Sequence, residues 1–368
     1  MATLRRVIIA TVLLLIALAV PGGALRVRAA ADTLPSRLSD QEFWRLVADF
    51  SEDNGYFRSD NLLSNEVYYQ TVIPELLSRT KTGGAYLGVG PEQNFTYISA
   101  LKPKIVFITD IRRGNLHTQL MYKALFELSS DRADFMSRLF TKKRPASLTP
   151  QSSAHEIQQA YWDQQTSDEA AYKANVQAID DQLTKKHEMP LSRDDLDGIE
   201  YVYHSFYWYG PAINYNSSSG GRGFGGAMVD YASLMEETDG SGVPRSYLAS
   251  EENFKVLKDL EEKNLLIPLV GNFAGSKALR AVAKYLKDHD ATVTAFYLSN
   301  VEQYLNQDGI YGSFCANVAA MPLDASSTFI RTAQGGGGGR GNGLMTYLGR
   351  MQEETRGCGP RARPLALR

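Results

Sequence analysis

The sequence predicts an α/β protein: a mostly parallel sheet flanked by helices, with N-terminal helices and a helical insertion. Three observations lead there. Ala85-Tyr86-Leu87-Gly88-Val89-Gly90 is a short apolar run ending in glycines, and Ile105-Val106-Phe107-Ile108-Thr109-Asp110 is a β-branched run ending in a carboxylate; both read as buried parallel strands. Helical stretches alternate with them, over Phe95 to Leu101 and Leu116 to Leu128, giving a β-α-β-α start. The pattern returns later, where the strand-like runs Leu266 to Val270 and Thr292 to Leu298 enclose an amphipathic helix carrying Leu279, Val282, Ala283 and Leu286.

The elements follow in order. In residues 1–31, Arg5 and Arg6 precede an uncharged run of 14 residues, Val7 to Val20, then Pro21-Gly22-Gly23 and Ala29-Ala30-Ala31. This reads as a secretory signal peptide, because the run is shorter than the roughly 20 residues that span a bilayer as a helix. The expected location is therefore outside the cytoplasm, periplasmic or extracellular; an uncleaved N-terminal membrane anchor is the alternative. Residues 32–83 form an N-terminal helical segment. Ser39 caps a helix with Phe43, Trp44, Val47 and Phe50 at helical spacing and Gly55 as its stop, the polar loop Tyr56 to Asn61 follows, and a second helix runs from Ser64 towards Leu77. Residues 84–128 are the first half of the sheet domain. Residues 129–250 are the insertion, with charged helical stretches at 153–187 and 192–204, the aromatic run Tyr201 to Tyr209 and the Gly/Ser-rich Ser217 to Gly226. Residues 251–333 are the second half, with Asn317 to Leu323 and Thr328 to Arg331 as an edge hairpin, and 334–368 a glycine-rich loop and tail.

The chain has 368 residues, 43% hydrophobic and 22% charged, which excludes disorder and a pure coiled coil. With 39 basic against 41 acidic side chains it has no whole-molecule field for a polyanion, so the expected partner is a small molecule rather than a nucleic acid, and membrane contact is confined to the N-terminal segment. Nothing in the composition bears on oligomeric state. Cys315 and Cys358 lack the paired spacing of zinc sites, and no metal site is expected; one bridge and two separate thiols are both open.

In an open α/β sheet the ligand crevice lies beyond the carboxyl ends of the strands. After the first strand, Gly88 and Gly90 let backbone N–H groups approach a ligand, with Glu92 further along the same turn. Asp110 stands 22 positions after Gly88, the separation at which a second-strand carboxylate accepts hydrogen bonds from a ribose diol; a tight turn and a helix cap are the plainer explanations. Asn272, in Gly271 to Gly275, is a candidate donor to a base, or a turn former. Asn300 and Glu302 follow the next strand, Glu302 fitting a first-turn helix carboxylate better than a general base. Arg112 and Arg113 offer bidentate donors to an anionic substrate, or a salt bridge to Glu92. His204, beside Phe206, Tyr207 and Trp208, is a substrate-binding candidate, although a packed histidine is commoner. No Gly-x-Ser-x-Gly elbow, His-Glu-x-x-His pair or phosphate-binding P-loop occurs, so no catalytic residue is assigned.

Leu87-Gly88-Val89-Gly90 and Thr109-Asp110-Ile111 resemble the class I S-adenosylmethionine-dependent methyltransferases, over roughly 84–128 and 264–300. The resemblance implies a Rossmann-like core and S-adenosylmethionine as cofactor, held by Gly88, Gly90, Glu92, Asp110, Ile111 and Asn272, with a substrate near Arg112, His204 and Asn300. Two positions depart from the pattern: Tyr86 stands where the family has an acid, and Glu92 or Gln93 where it has a third glycine. More closely, Gly55 to Asn61, Gly88 to Phe95 and Asp110 to Asn115 look like an uncharacterised family of bacterial exported proteins. The expected function is a methyltransferase-like protein binding S-adenosylmethionine or a related nucleotide and acting on a small molecule. The alternative is an exported, non-catalytic Rossmann-like binding protein, and a nicotinamide-dependent oxidoreductase is a third reading. An export signal conflicts with a donor made in the cytoplasm, unless the protein folds around it before export.

Overall fold

The computed structural model describes residues 32–164, 168–217, 228–334 and 344–358. The segment read as a signal peptide, nearly all of the Gly/Ser-rich run, the glycine run from Gly335 and the last ten residues lie outside the described residues.

Helix α1 (Asp40–Phe50) opens with a reciprocal capping box, in which Ser39 Oγ accepts from the Glu42 N–H and the Ser39 N–H donates to Glu42 Oε2 at 3.0 Å. A 3-10 turn (Tyr69–Val72) leads into α2 (Ile73–Arg79), and then β1 (Ala85–Gly88), α3 (Gln93–Leu101), β2 (Ile105–Asp110) and α4 (Arg113–Leu128) alternate. The insertion supplies α5 (Arg132–Phe140), α6 (Ala154–Trp162), α7 (Glu169–Asp181), α8 (Arg193–Tyr209) and α9 (Tyr231–Glu236). Alternation resumes with α10 (Glu251–Glu262), β3 (Leu266–Val270), α11 (Ala278–Asp288) and β4 (Val293–Ser299). The chain continues through α12 (Val301–Gln307), α13 (Tyr311–Ala319), β5 (Thr328–Gln334), β6 (Leu344–Arg350) and α14 (Met351–Glu354).

The fold is α/β, as the strand and helix patterns predict. One six-stranded sheet has the order β3-β2-β1-β4-β5-β6, parallel from β3 to β5, with β6 antiparallel to β5. Both faces are covered by helices, so β2 and β3 are buried along their whole length and read as continuous apolar runs. Pro268 is accommodated because β3 is the last strand of the sheet on its side. Order reverses between β1 and β4, which opens a crevice at their carboxyl ends.

The insertion packs on the sheet domain through α4, along which α8 lies. Phe126 stacks on Phe135 with ring centroids 4.7 Å apart and packs tilted against Phe254 at 5.2 Å, joining α4, α5 and α10; each such ring removed from water contributes on the order of 2 kcal/mol. Arg132, fully buried, pairs with Glu251 at 2.9 Å and donates to the carbonyls of Leu248, Pro150 and Ser152, so one side chain ties the insertion to α10.

Three local expectations are corrected. Helix α1 ends at Phe50, and Gly55 instead lies against Ile111, donating its N–H to the Ile111 carbonyl at 2.8 Å. Ser64 does not cap a helix: its hydroxyl donates to Gln93 Oε1, and the helix starts only at Ile73. Asn317 belongs to α13, where its amide donates to the carbonyls of Phe273 and Gly275, and the edge hairpin is β5 with β6. β6 lies in the segment read as loop and tail. Its partner is separated from it by the glycine run, so no local turn signal announces the hairpin. Cys315, on α13, and Cys358, after α14, are joined as a disulfide.

Candidate functional site

A cavity of about 610 Å³ opens at the carboxyl ends of β1 to β4. Each strand contributes where its last residue turns outward: Gly90 after β1, Asp110 and Ile111 at β2, Asn272 after β3, and Ser299 and Asn300 at β4. The loop between α1 and α2 closes it from above with Tyr56, Phe57, Arg58, Asn61 and Glu66, and Tyr215 enters from the insertion.

The two glycines after β1 do different work. A Cβ on Gly88 would overlap the Asn94 side-chain oxygen, whereas one on Gly90, at φ +76°, would meet nothing within 4 Å. Asn94 ties the turn from inside: Oδ1 accepts from the Tyr86 hydroxyl at 2.9 Å, and Nδ2 donates to the carbonyls of Val89 and Pro91 at 2.8 Å. Tyr86 thus stands in the acidic residue's place as an internal donor. Gly90 faces the cavity.

Asp110 faces the cavity with 4% of its surface exposed. Its Oδ1 accepts from the Arg112 backbone N–H at 2.9 Å and Oδ2 from Arg112 Nη2 at 3.3 Å. Arg112 is itself buried, and its Nη1 donates to the Asp60 carbonyl. The guanidinium therefore fixes Asp110, and no salt bridge to Glu92 forms.

After β3, the loop that contains Asn272 is organised by a carboxylate from the chain itself. Glu52 accepts from the N–H groups of Asn272 at 3.0 Å and of Lys277 and Ala278 at 2.9 Å, and so fills the anion position at the start of α11. Asn272 Oδ1 accepts from the Ala274 N–H at 2.9 Å, an Asx turn, while the residue still lines the cavity.

At the opposite wall, Glu66 is 2% exposed and accepts from Ser299 Oγ, from Thr332 Oγ1 at 2.6 Å and from Gln93 Nε2 at 2.8 Å. Burial, and after it the Glu66 charge, hold the Tyr297 hydroxyl well above the usual tyrosine range. Among the described residues the lining carries three carboxylates, Glu66, Asp110 and Asp308, against one guanidinium, Arg58.

The structure thus brings Gly90, Asp110, Ile111, Asn272 and Asn300 to one cavity. Gly88 lies behind the turn. Glu92 is fully buried away from the cavity, with Oε1 accepting from the Ser64 N–H at 3.4 Å and burial pushing the carboxyl up to about 8. His204 sits exposed on α8, stacked on Trp208 with centroids 6.0 Å apart. Arg113 forms a bidentate pair with Asp195 at 2.6 and 2.9 Å, and Glu302 pairs with Arg331. Ser299 stands at the end of the strand before Asn300, where a site residue is expected, whereas Glu66 and Tyr297 are among the lining residues that sequence reasoning missed. Ser64-Asn65-Glu66 reads as a helix start, and only three-dimensional pairing with β4 and β5 reveals its role. Among the described residues no group of His, Cys, Asp and Glu is placed to hold a metal ion, and no helix is long and apolar enough to cross a membrane.

No curated protein matches the chain. A family profile described as Domain of unknown function (DUF7790) matches residues 62–204 and 214–347, which hold most of the sheet, of the insertion and of the cavity lining, and the chain belongs to that family.

Proposed function

We propose that the protein is methyltransferase-like and binds a nucleoside of the S-adenosylmethionine class in the strand-end cavity. The carrying observation is the charge of the site. The anion position at the start of the helix after β3 is filled from within, by the Glu52 carboxylate. Among the described residues the lining carries Glu66 and Asp308 besides Asp110, whose charge Arg112 balances from behind, against the guanidinium of Arg58. Such a site disfavours the pyrophosphate of a dinucleotide and suits a ligand whose charge is positive. This argues against the nicotinamide reading.

The residues fit the group. Asp110, held by Arg112, presents its carboxylate to a ribose diol, and Gly90 leaves room for close approach. Asn61 offers a buried Oδ1 with no hydrogen-bond partner among the described residues, and Phe57, Tyr297 and Tyr304 supply aromatic surface. When bound, S-adenosylmethionine supplies an activated methyl group; this chain's part is to orient it and exclude water.

Calorimetric titration with S-adenosylmethionine, S-adenosylhomocysteine and NAD tests the reading. Heat is expected for the first two and not for NAD. Absence of heat for the first two, or NAD binding as tightly as either, would overturn it.

A second reading, an exported non-catalytic binding protein, is favoured by the Cys315–Cys358 disulfide, since such bonds persist in oxidising compartments. It is supported if S-adenosylmethionine bound to the protein is recovered unchanged after incubation with a small-molecule extract, and excluded if S-adenosylhomocysteine accumulates.

A further inference from the structure

The cavity wall carries a charge that the described protein groups do not neutralise. The groups that donate to Glu66, the hydroxyls of Ser299 and Thr332 and the Gln93 amide, are neutral, as is the Tyr297 hydroxyl beside it. The buried guanidiniums are committed elsewhere, Arg112 to Asp110 and Arg331 to Glu302 and Glu354. Among the described residues no ion pair includes Glu66, although it is 2% exposed.

The backbone is bent to build this arrangement. The β4–β5 register shifts between Tyr297 and Ser299, and Ser299 takes φ +51°, the left-handed region that serine rarely adopts. Both irregularities place the Ser299 hydroxyl on Glu66, and backbone strain of this kind concentrates at ligand sites. The Ser299 hydroxyl donates to the Glu66 carboxylate, so the pair is a clamp. Burying a carboxylate without a counter-ion is unfavourable, and neutral hydrogen bonds offset only part of that. Next to it, Tyr297 lines the cavity with ring surface of the kind that attracts organic cations.

We propose that Glu66 is the counter-charge for a primary ammonium group of the ligand, with Ser299, Thr332 and Gln93 as positioning residues. This rests on the cavity being the ligand site, and it specifies an aminated organic cation as the ligand class.

The test is calorimetry on the full chain with three probes: S-adenosylmethionine and S-methylmethionine, which carry the ammonium, and adenosine, which does not. Glu66→Gln should weaken the two cations tenfold or more, leave adenosine unchanged and melt no lower than the wild type, because it removes an uncompensated charge. Ser299→Ala, which keeps the charge and loosens its clamp, should weaken the cations by a smaller factor. If S-methylmethionine binds through Glu66 while adenosine and S-adenosylmethionine give no heat, the ammonium site stands and the nucleoside reading fails. If the wild type binds neither cation, or Glu66→Gln binds both as tightly as the wild type, the proposal is overturned. Should Glu66→Gln not fold, unchanged cation affinity in both Ser299→Ala and Thr332→Val overturns it equally.

Discussion

The side-chain oxygen of Asn94 occupies the space that a Cβ on Gly88 would need. Gly88→Ala must therefore displace the amide that holds the Val89 and Pro91 carbonyls, an overpacking cost of about 1–3 kcal/mol with lost hydrogen bonds added to it. Gly90→Ala meets open space and bears only the strain of φ +76°, about 1–2 kcal/mol. In urea denaturation Gly88→Ala should be the more destabilised of the two, while Gly90→Ala, which puts a methyl beside the cavity, should lose more ligand affinity. The reverse ranking in stability would show that the turn is not built around Asn94.

Glu52 links the loop after α1 to the start of α11 through three backbone N–H groups. Glu52→Ala leaves these donors without their acceptor and should cost about 1–3 kcal/mol, the range for a charged cap removed from a partly buried helix start. Glu52→Gln keeps one acceptor oxygen and should cost less. Equal stability of wild type and Glu52→Ala in chemical denaturation would mean that water replaces the carboxylate without loss.

The strands were legible because a sheet covered on both faces writes itself as apolar runs, and Ser39 was legible because a capping box is local. The cavity's strand-end residues, Gly90, Asp110, Asn272 and Asn300, follow from the same rule, since ligand crevices lie where parallel strands end. What escaped depends on contacts distant in sequence. Glu66 meets Ser299 and Thr332 only after β4 and β5 are in place, more than 230 residues further on. Glu92 lies in a glycine-rich turn that looks ligand-facing, yet α3 starts one residue later and carries it inward.

Buried carboxyls set the pH dependence of stability. Burial pushes Glu92 and Glu261 up to about 8 and Glu237 to about 7. Each keeps its proton in the folded chain at pH values where the unfolded chain has released it. Their contribution is complete below the ordinary glutamate value near 4.5 and is lost as pH rises through 7 to 8. Glu127 acts oppositely: burial opposes ionisation, but the His187 hydrogen bond and the Lys123 charge hold it down to about 2, so its contribution disappears only in acid. Stability should peak at roughly pH 4.5 and fall by a few kcal/mol towards pH 8.5. Melting temperatures across that range check it. Glu92→Gln should flatten the alkaline fall, and a wild type that melts higher at pH 8.5 than at 5.5 would contradict the assignment.

The Cys315–Cys358 bond closes a loop of 43 residues that contains β5 and β6, and so ties the antiparallel edge of the sheet to α13. Cross-linking a loop of that length restricts the unfolded chain by about 4 kcal/mol in the chain-entropy account. Cys315→Ser with Cys358→Ser should lower stability by about 2–4 kcal/mol, and reductant should lower the wild type to the level of the double variant. Thiol titration of the protein purified without reductant should find both cysteines blocked. The same preparation tests location: if the protein is exported through its apolar leader, intact-mass measurement places the mature N-terminus near Asp32. Two titratable thiols together with an intact Met1 would remove both supports for export. The conflict between a cytoplasmic methyl donor and an exported protein would then disappear, leaving the methyltransferase-like reading without its main difficulty.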